Sequence, residues 1–569
     1  MMKKNLVTLL TLIIVMQFAG RAQSLGDNTK HKLTDYPELE SYINFRFENE
    51  RYSGVTVIFQ DSILEFSSIK GSANRDWDVN NTLDTKFDLA SATKMFTAIG
   101  IAILYDQDRI NLDAPFMKYF PSFPLEIASE ITLRQLLSHT SGLTDLFFEE
   151  AYLRGDRSRL RKVSDYDPYF SELRIGHVPS DRIMYSNTNF LILGRIIEEV
   201  SGKNYYDFVH EQIFVPLNMC DTGFFEKDEV VKNRAVGYFN DAQASMEFGV
   251  PNDDQIRSNI AIRSIKGMPA GGAFSTVSDM NLFMNGIRSE KLISVETYKL
   301  FTKEFRGGYG LGFQVYEQEG QRVIGHSGGF YGVSTMIFYM PNINRTFISL
   351  TNTDFAAQPI FDRFLALQND INTFRPISIS SEELSQYEGY YAVIEGEMKG
   401  HQIHIQATGE RLLFDNSLEF FPFGKDSFFD IDNDRFSLIF QRNENDEIIG
   451  FERGDGGMFV QVAENIDSTQ VRTVVALILP EEILQEYIVE LIFEEYGMMG
   501  GHRPTISVAD GALLIDNMMK FLPYEKDKFF LHDDMGMKLH FNRDSKGEIM
   551  GAHVLRGEDV VGKLSLLDK

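Results

Sequence analysis

The feature that most restricts how this chain folds is a duplication in its last third. A shift that carries Leu412-Leu-Phe-Asp-Asn416 onto Leu513-Leu-Ile-Asp-Asn517 also carries Pro422 onto Pro523 and Lys425-Asp426 onto Lys526-Asp527. Phe428-Phe429 land on Phe529-Phe530, Phe440 on Phe541, Arg442 on Arg543 and Glu447-Ile448 on Glu548-Ile549. Matches this dense without a gap indicate a copied unit rather than shared composition. Each copy is a string of short apolar runs separated by Asp, Asn and Gly turns, the pattern of a small antiparallel barrel or sandwich. The copies are expected over 382–466 and 478–569. His401 and His502 also coincide, which raises a metal site, and the paired Phe, Asp and Arg residues raise a ligand site. Turn and core roles inherited from one ancestor are the simpler expectation for both.

The chain has 569 residues, enough for roughly three to five domains. It holds one cysteine, so neither a disulfide framework nor a Cys-rich zinc module is available. Cys220 is expected to be a small buried hydrophobe. The formal charge of −27 argues against phosphate backbones and anionic lipid as partners. Residues 1–22 read as a signal peptide. Lys3 and Lys4 precede the apolar run Leu6–Met16, and Gly20-Arg-Ala22 offers a small-residue cleavage site. The run is short against the roughly 20 residues of a membrane crossing, so no stable membrane insertion is expected after cleavage. The expected location is periplasmic or secreted.

Between signal and repeats lies one unit, residues 23–373, followed by a linker at 374–381. Gly54–Phe59 and Ile63–Phe66 flank a polar turn and predict a hairpin. Helices are expected over Ser91–Tyr105, which is apolar nearly all round, and over Asn189–Val200 and Tyr205–Phe214. Thr276-Val-Ser-Asp279 has capping-box spacing and opens another helix. Strands return at Gly312–Tyr316, Arg322–Gly325, Val333–Met340 and Thr346–Leu350, and Gln358–Leu367 is a last helix. Strands at both ends with helices between predict an α/β (α+β) domain. Its antiparallel sheet is closed by the two termini around a helical insert.

Three short motifs can carry chemistry. In Ser91-Ala-Thr-Lys94 a hydroxyl and an ammonium stand at i and i+3 of a helix, on one face. A serine that begins a helix has an unpaired N–H able to stabilise an oxyanion, and a desolvated lysine can activate it. The other Ser-x-x-Lys, Ser67 to Lys70, falls on a strand, where i and i+3 face opposite sides. Tyr185-Ser-Asn187 precedes a helix; a tyrosine can relay a proton, and an asparagine can orient a lysine and a substrate amide. His326-Ser327-Gly328-Gly329 follows a strand, and its glycines let a ligand approach the backbone.

The order of these motifs resembles the serine β-lactamase and penicillin-recognising family, nearest to its class C-like branch of esterases, D-aminopeptidases and DD-carboxypeptidases. Phe87–Lys94, Ile131-Thr-Leu-Arg-Gln-Leu-Leu-Ser-His-Thr-Ser-Gly-Leu143, Pro216-Leu-Asn-Met219 and Pro269–Thr276 add to the likeness. It spans about residues 35–370. The resemblance implies Ser91 as acylated nucleophile, with Lys94 and Tyr185 as a coupled base and acid. It implies Asn187 as a substrate-binding residue alongside His326, Ser327 and Gly328, and the N–H groups of Ser91 and Gly329 as the oxyanion hole. It requires no metal or cofactor, and it leaves His139 structural. Where many relatives carry Lys-Thr-Gly this chain has His326-Ser327-Gly328, a departure that weighs against carboxylate-bearing β-lactams. The two repeats resemble, in layout, the small all-β, lipocalin-like barrels of three-domain D-aminopeptidases. The implied function is an exported serine hydrolase of small esters or peptides and amides, D-amino-acid substrates included. The alternatives are a catalytically silent binder of cell-wall fragments and a true β-lactamase.

Overall fold

The computed structural model describes residues 36–240, 255–368, 375–396, 402–415, 418–431, 436–455, 458–466, 481–489 and, in shorter stretches, 491–566. The expected signal peptide and the His401 and His502 pair fall outside the described residues.

The first unit is built on a six-stranded antiparallel sheet. Its strands are β1 (Gly54–Gln60), β2 (Ile63–Lys70), β3 (Gln314–Gln318), β4 (Gln321–Phe330), β5 (Val333–Met340) and β6 (Arg345–Thr351). They lie in the order β2-β1-β6-β5-β4-β3. The N-terminal hairpin therefore meets the C-terminal strands along β1 and β6, with Gly54 opposite Thr351 and Phe59 opposite Thr346. Alternation along the strands gives the sheet two apolar faces. Val55, Val57 and Ile337 join the larger core under the helical insert. Ile58, Met336, Phe338 and Phe347 face the other way, onto α1 (Pro37–Glu48) and a late helix, Ala357–Gln368. The result is three layers.

The middle of the insert is α2 (Lys94–Asp106), in which every residue from Lys94 to Leu104 is buried. Its apolar circumference suits a helix enclosed on all sides. Against it packs α3 (Asn187–Ser201), whose buried face includes Phe190, Leu193, Ile196 and Ile197. Gly202 ends α3 in a left-handed conformation, the usual glycine stop. Thr276 caps α4 (Val277–Arg288) by accepting the Asp279 N–H. The reciprocal half of the expected capping box is absent, because the Asp279 carboxylate accepts from the Asp221 N–H and the Thr222 hydroxyl instead. Cys220 is a correction: it is exposed rather than buried, because Asn218 turns left-handed and the chain buries Met219 in its place.

The first repeat is a closed eight-stranded barrel running from Gly389 to Ile466. Tyr391, Phe414, Phe420, Phe428, Phe440 and Phe451 fill its interior. It meets α1, where Phe45 stands edge-on to Phe421 with ring centroids 5.0 Å apart and Arg51 pairs with Glu419 at 3.1 Å. The second repeat is an eight-stranded sheet whose strands follow in the same cyclic order. Among the described residues no helix is long and apolar enough to cross a membrane.

Candidate active site

Ser91 sits in a 3-10 turn, Ala90–Thr93, that runs straight into α2. The turn begins sharply because Ala90 has φ +42°, a region non-glycine residues seldom occupy. Several contacts hold it there. The Asp88 carboxylate accepts the Ala90 N–H at 2.8 Å. Leu89 donates to the Ala273 carbonyl at 2.8 Å, and Thr93 Oγ1 accepts the Ala273 N–H at 3.1 Å. Strand β4 lies so close that a Cβ on Gly328 would stand 2.2 Å from the Leu89 carbonyl oxygen and 3.1 Å from the Ser91 nitrogen. Only glycine fits there. At Gly329 a Cβ would meet nothing within 4 Å, so open space lies in front of that backbone.

Lys94 Nζ donates to Ser91 Oγ at 3.1 Å, to Asn187 Oδ1 at 2.7 Å and to the Ala270 carbonyl at 2.6 Å. The side chain has no solvent exposure. Burial lowers its pKa to about 7, with the negative charge of Asp145 pulling the other way. Desolvation wins because no carboxylate touches the ammonium: Asn187 stands between. Its side-chain N–H and its backbone N–H both donate to Asp145 Oδ2, each at 2.8 Å.

The Tyr185 ring stacks on His139 at 4.3 Å, and Lys94 Nζ lies 4.8 Å from its centroid. The tyrosine is partly open at its outer edge, yet desolvation raises its pKa, and a hydrogen bond with Ser91 partly offsets the rise. One loop holds this whole motif. Met184 donates to the His139 carbonyl at 2.8 Å. The Ser186 N–H donates to His139 Nδ1 at 3.1 Å, and its hydroxyl to the Thr144 carbonyl at 3.1 Å. Asn187 is held by Asp145, as described. Thr188 accepts from the Leu146 N–H at 2.7 Å, and Asn189 accepts from the Ser141 hydroxyl at 2.7 Å. Residues 139–146 thus grip residues 184–189 almost one by one.

His326 is buried, and its ring faces Tyr309 rather than open space. Its Nδ1 donates to the Ser327 carbonyl, so in the neutral ring Nε2 accepts from the Tyr309 hydroxyl. Burial and the nearby Lys94 lower its pKa to about 3, so it is uncharged at neutral pH. Further along β4, Phe330 and Val333 flank a two-residue turn and form a hydrogen-bonded pair. Alternation then aims the Gly329 N–H off the other edge, together with that of Ser327. Ser327 N–H does leave by that edge, to Gln314 Oε1 at 3.0 Å. Pairing with β3 stops at Gly325, so the edge beside Gly329 is open.

Ser91, Asn187 and Gly329 line a cavity of about 880 Å³, together with Gly271, Tyr331, Phe148 and Phe355. Its described lining runs from Asp88 to Phe355, with no residue from either repeat. The expected residues Ser91, Lys94, Tyr185 and Asn187 come together through the Lys94 contacts, and Ser91, Asn187 and Gly329 reach the cavity wall. Lys94, Tyr185, His326, Ser327 and Gly328 are absent from its described wall, and the His326 ring is turned onto Tyr309. Sequence reasoning missed Asp145, the Ala270 carbonyl and Tyr309. Asp145 had a signal: it caps the turn at Leu146–Phe148, and an Asp before an apolar run is a helix-start mark.

A model of the beta-lactamase family matches residues 45–369, more than half of the chain. The chain belongs to the beta-lactamase family. Its relatives include penicillin-binding protein 4* of Bacillus subtilis (strain 168), 30% identical over 281 residues, which are 47% of this chain and 61% of that protein. A teichoic acid D-alanine hydrolase of Staphylococcus aureus (strain MRSA252) is 25% identical over 326 residues, 56% of this chain and 75% of that protein. This family member thus spans under two thirds of its Bacillus relative. Among solved structures, a penicillin binding protein from Bacillus halodurans is 25% identical with a TM-score of 0.51, covering 57% of this chain and 98% of that one. The octameric penicillin-binding protein homologue from Pyrococcus abyssi shares the fold, with a TM-score of 0.54 at 23% identity. It covers 76% of this chain and 100% of that one.

Proposed function

We propose that the protein is an exported serine hydrolase that cleaves a small ester or a peptide or amide bond through an acyl-enzyme. The observation that carries this reading is the Ser91–Lys94 contact of 3.1 Å at the wall of the cavity. With its pKa lowered to about 7, the lysine can give up its proton near neutral pH. In its neutral form Lys94 takes the Ser91 proton as Oγ bonds to the substrate carbonyl carbon. The oxygen becomes an oxyanion in front of the Ser91 and Gly329 N–H groups. The C–O or C–N bond then breaks, and the leaving group receives a proton through Tyr185. Water, deprotonated by the same lysine–tyrosine pair, releases the acid and restores Ser91. The second side-chain N–H of Asn187 is not taken by Asp145 and is left for the substrate's acyl side.

His326 bears on specificity. A neutral, buried imidazole offers no cation from this strand to a substrate carboxylate, which disfavours β-lactams. The Staphylococcus relative, named a teichoic acid D-alanine hydrolase, supports a small D-aminoacyl group as the acyl part. The same reading assigns catalysis to residues 23–373 and treats 382–466 and 478–569 as accessory barrels. Export rests on residues 1–22. The test is a panel of p-nitrophenyl esters, D- and L-aminoacyl anilides and D-Ala-D-Ala peptides, run on wild type and Ser91→Ala. Turnover that disappears in a folded Ser91→Ala variant is the expected result; unchanged turnover refutes the assignment.

A further inference from the structure

We propose that Asp145 is a positioning residue for the serine–lysine pair, fixing the Asn187 amide and supplying the negative field that keeps Lys94 docked between Ser91, Asn187 and Ala270. This rests on the serine-hydrolase reading of the site. The geometry starts from a buried carboxylate, 9% exposed, at the start of the turn Leu146–Phe148. One oxygen caps that turn by accepting the Phe147 N–H at 3.1 Å. The other accepts the backbone N–H and one side-chain N–H of Asn187. A carboxylate only accepts, so the amide must present nitrogen to Asp145 and oxygen to Lys94. Without that constraint the amide could rotate, set N–H against the ammonium and push Lys94 away from Ser91.

The groups around Lys94 show why the charge matters as well. His139, Tyr185 and His326 face it, and burial lowers the pKa of both histidines and raises that of the tyrosine. All three are therefore neutral near pH 7. Asp145 is the carboxylate that acts on Lys94 among the described residues, and it raises the lysine's affinity for a proton against desolvation. Asp145 is itself pushed up by burial and brought down by the Asn187 and Phe147 hydrogen bonds. The carboxylate thus sets where the base titrates, without touching substrate.

Asp145→Asn separates this from packing. The variant keeps shape and an amide oxygen for Asn187, and loses the charge. Two readouts apply: the pH dependence of kcat/KM on an activated ester, and the direct titration of Lys94 by NMR in [15N]lysine-labelled protein. An opposite charge at short range moves a pKa by about 1–3 units; with an amide interposed, a downward shift of about 1 unit is expected in both. Near pH 7 the larger neutral fraction of Lys94 offsets the lost positioning, so kcat is compared on the high-pH plateau, where it should fall more than KM changes. Asp145→Ser, which keeps a capping oxygen, repeats the test should the first variant fold poorly. An unmoved Lys94 midpoint in a folded variant overturns the proposal, whatever happens to the rate. Failure of Ser91 to be acylated strikes the hydrolase reading instead and leaves the Lys94 titration readable.

Discussion

Two regions of this molecule use the same three kinds of side chain to opposite ends. The cavity has Lys94, Asp145 and Tyr185. The first barrel has Arg442, Asp426 and Tyr387, and the second repeats them as Arg543, Asp527 and Tyr487. In the barrel the contact is direct: Arg442 Nε donates to Asp426 Oδ1 at 2.9 Å, and Tyr387 donates to the same oxygen at 2.8 Å. The second copy has 2.7 Å and 2.9 Å. The contact with Asp426 raises the Arg442 pKa and outweighs burial, so the charge is locked. In the cavity an amide separates cation from carboxylate, and desolvation wins. A fall from 10.5 to about 7 means that charging Lys94 in the folded protein costs on the order of 5 kcal/mol. One arrangement fixes a charge to hold a turn; the other keeps a proton exchangeable.

The largest effect should come from removing the exchangeable proton. Lys94→Met is expected to lower kcat/KM by about 10²–10⁴-fold, the range of general-base contributions. It should also stabilise the protein at pH 6 by about 1–4 kcal/mol, because an apolar side chain replaces a buried cation. The sign follows from the shift. Between pH 7 and 10.5 the unfolded chain binds the extra proton, so stability rises with pH across that window and the penalty is full below it. Steady-state kinetics and thermal melts at pH 6 and 10 check both halves.

Next in size is Asn187→Asp, which gives the cavity the direct contact of the barrel. In wild type, kcat/KM should rise with pH through about 7 as Lys94 loses its proton. With a carboxylate against the ammonium, the midpoint should move up by about 1–3 units, so that activity near pH 7 falls by at least about tenfold. A pH–rate profile shows it, and an unmoved limb breaks the comparison.

The barrel should respond in the opposite sense. Asp426→Ala leaves Arg442 and Tyr387 without their shared acceptor in a mostly buried setting, with side-chain exposures of 13% and 18% for Arg442 and Asp426. A loss of about 2–3 kcal/mol is expected, read as faster hydrogen exchange in strand Phe436–Arg442 with kcat unchanged. Arg442→Lys, which keeps the charge and loses the planar fork, should cost only about 1 kcal/mol by the same measurement.

These clusters also show what was legible in the sequence. Asp426 and Arg442 stood out because the copy at Asp527 and Arg543 preserves them. Their tyrosines did not, since Tyr387 and Tyr487 are offset by one residue fewer and lie outside the gapless match. The strands of both faces were readable from alternation, and the insert from helical period. Ser91, Lys94, Tyr185 and Asn187 were readable because local spacing and order mark them. Asp145 and the Ala270 carbonyl were not singled out, because their importance arises where separate segments meet. His326 illustrates the remaining gap: sequence gives its place on a strand, but only tertiary packing shows its ring turned onto Tyr309. The resemblance leaves His139 structural, and the stretch around it clamps the tyrosine motif.

On the proposed reading, Ser91 is a nucleophile made reactive by Lys94. The most direct measurement is intact and peptide mass after incubation with a fluorophosphonate at pH 8, on wild type, Ser91→Ala and Lys94→Met. One adduct per chain, mapped to the Ser91 peptide in wild type, lost in Ser91→Ala and formed far more slowly in Lys94→Met, is the predicted result. No adduct on wild type, or the same adduct on Ser91→Ala, would contradict it.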